Sequence, residues 1–239
     1  FYFFIFSSIL AQKLYSQSAG FNNTFAILSI NGGANAYYDL NATTPNTDFN
    51  GANLGSFNPA SNSLTLKGAE HNVYKCNGCD LTSTRLNYRI YSTTGTAGTF
   101  VQMNVPYTST VANGCGGADQ VWSATGNSVN VLSGLAPGTY YLEVYSDATV
   151  TCSGGTVYAT NGGANYKATF TVSSYVTTNS GSGLAATYST LAAAITALNA
   201  ATITSPVVIT LFGNETAPAG GYSITKSGNA TNTITIQGN

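Results

Sequence analysis

Charge is what this sequence has least of. Only 6% of its 239 residues are charged, seven Lys or Arg against eight Asp or Glu, where an ordinary soluble domain carries about 25%. A net charge of −1 leaves neither a basic footprint for nucleic acid nor an acidic tail. There is a single histidine, His71, so a Ser-His-Asp arrangement has one residue to draw on. No G-x-S-x-G elbow accompanies it. No apolar run reaches the roughly 20 residues of a membrane-spanning helix, so the chain is expected not to cross a membrane. Disorder is excluded as well, because 43% of the residues are apolar and 12% aromatic.

Asn, Ser, Thr and Gly stand in place of charge, interleaved with Tyr, Val, Ile and Phe. That mixture suits pleated, half-solvated sheets joined by many turns. Leu86, Tyr88 and Ile90 face one way and Arg85, Asn87 and Arg89 the other, the pattern of a half-buried antiparallel strand. Val101, Met103 and Val105 alternate likewise up to Pro106. So do Tyr140, Leu142 and Val144, and then Tyr166, Ala168, Phe170 and Val172. Shorter strand candidates are Phe25–Ile30, Ser63–Lys67, Val73–Cys76 and Val129–Leu132. About eight short strands with turn signals between them predict an all-β fold, an antiparallel Ig-like or Greek-key β-sandwich over 19–173. Leu135, Gly138 and Tyr140 have the spacing of a tyrosine-corner turn, in which the ring packs in the core and the hydroxyl bonds upstream backbone. The run Asn31–Asn35 recurs at Asn161–Asn165, with a near copy at Asn50–Asn53, which reads as repeated turn chemistry.

Composition shifts at 174–184, a Ser/Gly-rich linker. Beyond it, over 185–239, Tyr188, Leu191, Ile195 and Leu198 share one helical face, with Ser189 or Thr190 as the cap. Strand-like pieces follow at Pro206–Leu211, Tyr222–Ile224 and Ile234–Ile236. A capping helix followed by strands and Gly/Asn turns predicts the first rungs of a parallel β-helix, with further rungs expected beyond Asn239.

At the other end, the apolar stretch Phe1–Ala11 and the small residues Ser16–Gly20 have the layout of a secretory signal peptide over 1–18, cut after Ser18. No initiator Met or basic segment precedes it, so the sequence is expected to begin inside the signal. Export to an oxidising compartment makes disulfides the expected state of Cys76, Cys79, Cys115 and Cys152. Four cysteines allow three pairings. The one expected is Cys76–Cys79 across the Asn77-Gly78 turn and Cys115–Cys152 between two loops. A redox or zinc role for Cys76-x-x-Cys79 lacks the βαβ setting or the ligand spacing those sites require.

His71, beside Glu70, is expected on a solvated polar turn. Asp39, Asn41, Asp48 and Asn50 could offer oxygens to Ca²⁺, although Asn/Asp turn chemistry accounts for them equally. No other cofactor is implied. The carboxylates Asp39, Asp48, Glu70, Asp80, Asp119, Glu143, Asp147 and Glu215 occupy no catalytic motif. Tyr141, Glu143 and Tyr145 point opposite to Tyr140, Leu142 and Val144. If the second set is core, Tyr141 and Tyr145 form an outward aromatic strip suited to stacking on a sugar.

Two resemblances follow from these residues. The cap helix Tyr188–Leu198, Pro206–Leu211 and the N-T-I-T-I-Q-G at 232–238 resemble the start of right-handed parallel β-helix domains in large secreted bacterial proteins. Tyr37–Leu40, Asp48–Gly55 and Asn161–Phe170 resemble an N-terminal module of exported Flavobacterium-type (Bacteroidota) surface proteins. That likeness implies type IX secretion, with a sorting domain beyond Asn239, and carries over no catalytic residue. The expectation is a secreted or cell-surface, adhesin-like protein, non-catalytic in this region. Its partners would be extracellular glycans or surface proteins and the secretion machinery. The alternative is the N-terminal part of a polysaccharide-degrading β-helix lyase or hydrolase whose catalytic residues lie beyond Asn239.

Overall fold

The computed structural model describes residues 18–112, 115, 117–152 and 155–239; the signal peptide expected at 1–18 lies, apart from Ser18, outside them. The protein is all-β. Its strands are β1 (Ser18–Ile30), β2 (Ala36–Asp39), β3 (Asn53–Phe57), β4 (Leu64–Cys76), β5 (Leu81–Ser92) and β6 (Val101–Val105). They continue with β7 (Tyr107–Ala112), β8 (Ala118–Ala124), β9 (Val129–Asn130), β10 (Gly138–Val150), β11 (Thr156–Ala159) and β12 (Tyr166–Val172). After these come β13 (Tyr175–Thr178), β14 (Thr187–Tyr188), the helix α1 (Leu191–Ala200), β15 (Val207–Phe212) and β16 (Ile234–Gly238).

Two six-stranded sheets share one hydrophobic core. The first runs β2-β1-β4-β8-β7, with β9 on β4; the second runs β3-β12-β10-β5-β6, with β11 on β10. Pairing is antiparallel in both except between β3 and β12. Leu28, Leu66 and Val73 of the first sheet meet Leu86, Leu142, Val144 and Phe170 of the second, all fully excluded from water. Each such side chain contributes about 1.5–3 kcal/mol by burial. The inward residues of β5, β10 and β12 are those that the alternation in the sequence selects.

Ser63–Lys67 and Val73–Cys76, read as two strands, are the two ends of β4. Its inward residues are Leu64 and Leu66, then Ala69, His71 and Val73. The phase slips by one residue at Gly68, where the register with β1 is broken. A bulge inverts which side chains face the core. Only glycine fits there: a Cβ on Gly68 would lie 1.9 Å from the Ala124 carbonyl oxygen, at a φ of +141°.

Tyr140 makes the corner predicted for it, with its hydroxyl donating to Ala136 O at 2.7 Å and its ring stacked on Phe170. Helix α1 is capped by Thr190, whose Oγ1 accepts from Ala193 N–H. It buries Leu191, Ile195 and Leu198 against Val176, Val207 and Ile209. The Ser/Gly-rich stretch 174–184 supplies β13, a central strand of the third sheet, β14-β13-β15-β16. Residues 222–224 form no strand; Asn199 brackets them instead, donating to Ser223 O and accepting from Thr225 N–H. Asn58 Nδ2 ties the modules together through Ser174 O and Ser189 O, and Tyr175 stacks on Phe212.

Candidate ligand-binding face

The second sheet turns a layered polar and aromatic surface away from the core. In register across β5, β10 and β12 it reads Tyr91–Tyr141–Thr169, then Arg89–Glu143–Lys167; the next rungs are Asn87–Tyr145 and Arg85–Asp147. Period-two alternation places all of these opposite Leu86, Leu142 and Val144. Tyr141 and Tyr145 therefore lie on the outer face, as the sequence predicts, but half-buried rather than bare. Tyr141 tilts on Tyr91 at 5.6 Å and Tyr145 meets the edge of Phe100 at 4.8 Å. Tyr158, opposite Asp147 on β11, is 61% exposed.

Two ion pairs brace this face. Arg89 Nη2 donates to Glu143 Oε1 at 2.8 Å, and its guanidinium lies 4.2 Å from the centre of the Phe100 ring. Nη1 of Arg89 donates to Gly98 O, which folds the β5–β6 connection back over the sheet. Glu143 also accepts from Asn165 Nδ2 and from the Tyr91 hydroxyl. Burial pushes its carboxyl up, but the bonds from Arg89, Tyr91 and Asn165 outweigh it and hold the group below the usual carboxylate range. The same surroundings, burial first and then Glu143, push the Tyr91 phenol up to about 12. Two rungs away, Asp147 gives one oxygen to Arg85 Nε and the other to Asn87 Nδ2.

This pairing was present in the sequence in one form: Arg85-x-x-x-Arg89 and Glu143-x-x-x-Asp147 have equal spacing on alternating strands, so antiparallel register joins them two by two. Each carboxylate is matched to its own arginine on its own rung.

His71 is not on a surface turn. The bulge at Gly68 turns it into the core, fully buried, where Nε2 lies 2.9 Å from Ser146 Oγ of the other sheet. Phe21 packs edge-on against its ring. Burial lowers its pKa to about 3, so the imidazole is neutral.

The disulfides are Cys76–Cys115 and Cys79–Cys152, not Cys76–Cys79 and Cys115–Cys152. Asn77 and Gly78, both at positive φ, turn the chain from β4 in the first sheet to β5 in the second. Each cysteine is thereby delivered to a different sheet. Cys76 meets the β7–β8 connection and Cys79 meets the end of β10, both at a Cα separation of 5.1 Å.

Of the four residues considered for calcium, the structure gathers three. Asn41, Asp48 and Asn50 line a recess of about 260 Å³ with Asn161 and Tyr166, so two copies of the repeated Asn-Gly turn converge. Asp39 is turned away. Its carboxylate accepts from the backbone N–H of Asn41, Thr43 and Thr44 and from Thr44 Oγ1. Burial raises its pKa, and these four bonds more than reverse that. Asn50 Oδ1 accepts from Lys167 N–H, and Asn41 Oδ1 accepts from Thr24 Oγ1. Among the described residues no three His, Cys, Asp or Glu side chains converge as a metal site. Asp80 pairs with Lys75, which holds its carboxyl below the usual range. Glu215 accepts from Leu191 N–H at the start of α1.

Among the described residues no helix is long and apolar enough to cross a membrane. The class defined so far is an all-β, doubly disulfide-linked protein with an ion-paired aromatic face on one sheet. No protein-family model matches the chain. No curated protein and no solved structure matches it either.

Proposed function

We propose that this is an exported, adhesin-like binding protein, non-catalytic in this region, and that the outer face of its second sheet binds extracellular carbohydrate. The observation that carries the reading is the pair of aromatic rows, Tyr91 with Tyr141 and Phe100 with Tyr145, separated by the Arg89–Glu143 rung. Sugars are held by aromatic planes against their C–H faces and by fixed polar groups between them. Here Glu143 holds the Tyr91 hydroxyl and Arg89 packs on Phe100, and each of these rings backs one of the outer tyrosines, so little ordering entropy is left to lose on binding. Two disulfides support an oxidising, extracellular setting, and the signal-like composition of 1–18 supports export, by the type IX route that the Flavobacterium-type resemblance implies.

In the same reading the two large sheets form an Ig-like sandwich, and the third sheet begins a right-handed parallel β-helix. Strands β15 and β16 support this by stacking parallel and in register, Val207 on Ile234 and Ile209 on Ile236. Gln237 Nε2 bonds Thr210 Oγ1 27 residues earlier. A recess lined by Ile224, Lys226, Ile234 and Ile236 lies open along β16, where a further rung would stack.

A glycan array probed with the protein, followed by titration calorimetry, tests the function. Binding is expected, with a loss of about two- to tenfold for Tyr145→Ala or Tyr141→Ala, as stacking contacts of roughly 0.5–1.5 kcal/mol require. Absence of any glycan signal at high micromolar protein overturns the proposal.

A further inference from the structure

The charges on the outer face of the second sheet do not cancel. Arg85 is matched to Asp147 and Arg89 to Glu143. Lys167 is the third cation of this face. It lies directly opposite Glu143 on β12, yet both Glu143 oxygens are already taken, Oε1 by Arg89 and Asn165 and Oε2 by Tyr91. Among the described residues the Lys167 ammonium pairs with no carboxylate. A partly exposed cation thus stands one rung from the Tyr91–Tyr141 platform, on the same face. Residues two apart on a strand are about 7 Å apart. That spacing lets the flexible lysine stem reach a substituent of a ring seated on Tyr141.

We propose that the ligand of this face is an acidic polysaccharide, with a uronate carboxylate taken by Lys167 while the sugar ring lies on Tyr141 and Tyr91. The inference rests on the carbohydrate reading above and names its ligand class. A carboxylate fits better than a phosphate or sulfate ester. Each guanidinium that could clamp a tetrahedral anion already holds an acceptor on this sheet through two of its nitrogens, Arg89 on Glu143 and Gly98 O and Arg85 on Asp147 and Gln102. The cation without a carboxylate partner is one compact point charge, enough for one monoanion per sugar.

The test is calorimetric titration of the whole chain with an oligogalacturonate and with its methyl ester. Both are run at low salt and near 1 M, where the screening length falls to about 3 Å. The acid form is expected to bind about tenfold more tightly than the ester at low salt, with the preference abolished at high salt. Lys167→Gln should remove the preference while leaving binding of the ester and the melting temperature unchanged, and Lys167→Arg should restore it. Equal binding of acid and ester by the native protein overturns the charge assignment but leaves the carbohydrate reading standing. A preference that survives in Lys167→Gln does the same. Failure of both ligands, together with a blank neutral-glycan array, overturns both.

Discussion

His71 of β4 and Ser146 of β10 come from opposite sheets and meet inside the core, with Nε2 and Oγ 2.9 Å apart. Both are fully buried, and His71 Nδ1 has no hydrogen-bond partner among the described residues. Protonation would place an unneutralised charge between Phe21 and the sheet interior, which is why the pKa falls to about 3.

Acid stability should report that burial. The folded-state pKa of His71 lies below its unfolded value of about 6.5, so its contribution is complete above pH 6.5. It is lost as pH falls from there towards 3, at up to about 1.4 kcal/mol per pH unit. The carboxyls of Asp39, Asp80 and Glu143 are held low, so their contributions are lost only below their unfolded values near pH 4. Urea unfolding between pH 7 and 5 therefore isolates the histidine. Stability should fall across that range in the native protein and stay flat in His71→Leu. A flat profile in the native protein would show that His71 is solvated.

The disulfide pairing can be read from a peptide map of the unreduced protein, which should recover Cys76 joined to Cys115 and Cys79 to Cys152. These bridges close loops of 39 and 73 residues. Chain-entropy arguments assign each about 4 kcal/mol. The double variant Cys79→Ala/Cys152→Ala should lose roughly that much in denaturant unfolding. A Cys76–Cys79 peptide would contradict the fold at the β4–β5 corner.

Glu143→Gln should leave the Arg89 guanidinium against Phe100 without its counter-charge, at a cost of about 3 kcal/mol. The Tyr91 phenol should also titrate below its native value of about 12. It should not return to the free value, because burial is the larger cause of the rise. NMR titration of ring-labelled tyrosine separates the two effects, and an unmoved Tyr91 would disconnect it from Glu143.

The strands were legible where alternation ran unbroken, although on the edge strand β6 Val101, in phase with the buried Met103 and Val105, is 51% exposed. The inward sets Leu86-Tyr88-Ile90, Tyr140-Leu142-Val144 and Tyr166-Ala168-Phe170 stand in the core or packed against it, on the side the sequence assigns them. So were the Tyr140 corner and the Thr190 cap, both local devices. The outer face was half legible: the alternation put Tyr141, Glu143 and Tyr145 on one side, but not the arginines opposite them. Register decides that pairing, and it is settled by contacts about 60 residues apart in sequence.

Composition and periodicity alone determined that this is a β protein, which side chains of its regular strands face the core, and where its helix begins. These follow from the pleat and from hydrogen bonds spanning a few residues. Tertiary structure decided the rest. One bulge at Gly68 carried His71 from the expected surface into the core. One turn at Asn77-Gly78 sent Cys76 and Cys79 to different sheets. One register brought Lys167 beside a carboxylate whose oxygens were already occupied. Each outcome depends on a non-local partner, and a residue's sequence neighbours hold no record of it.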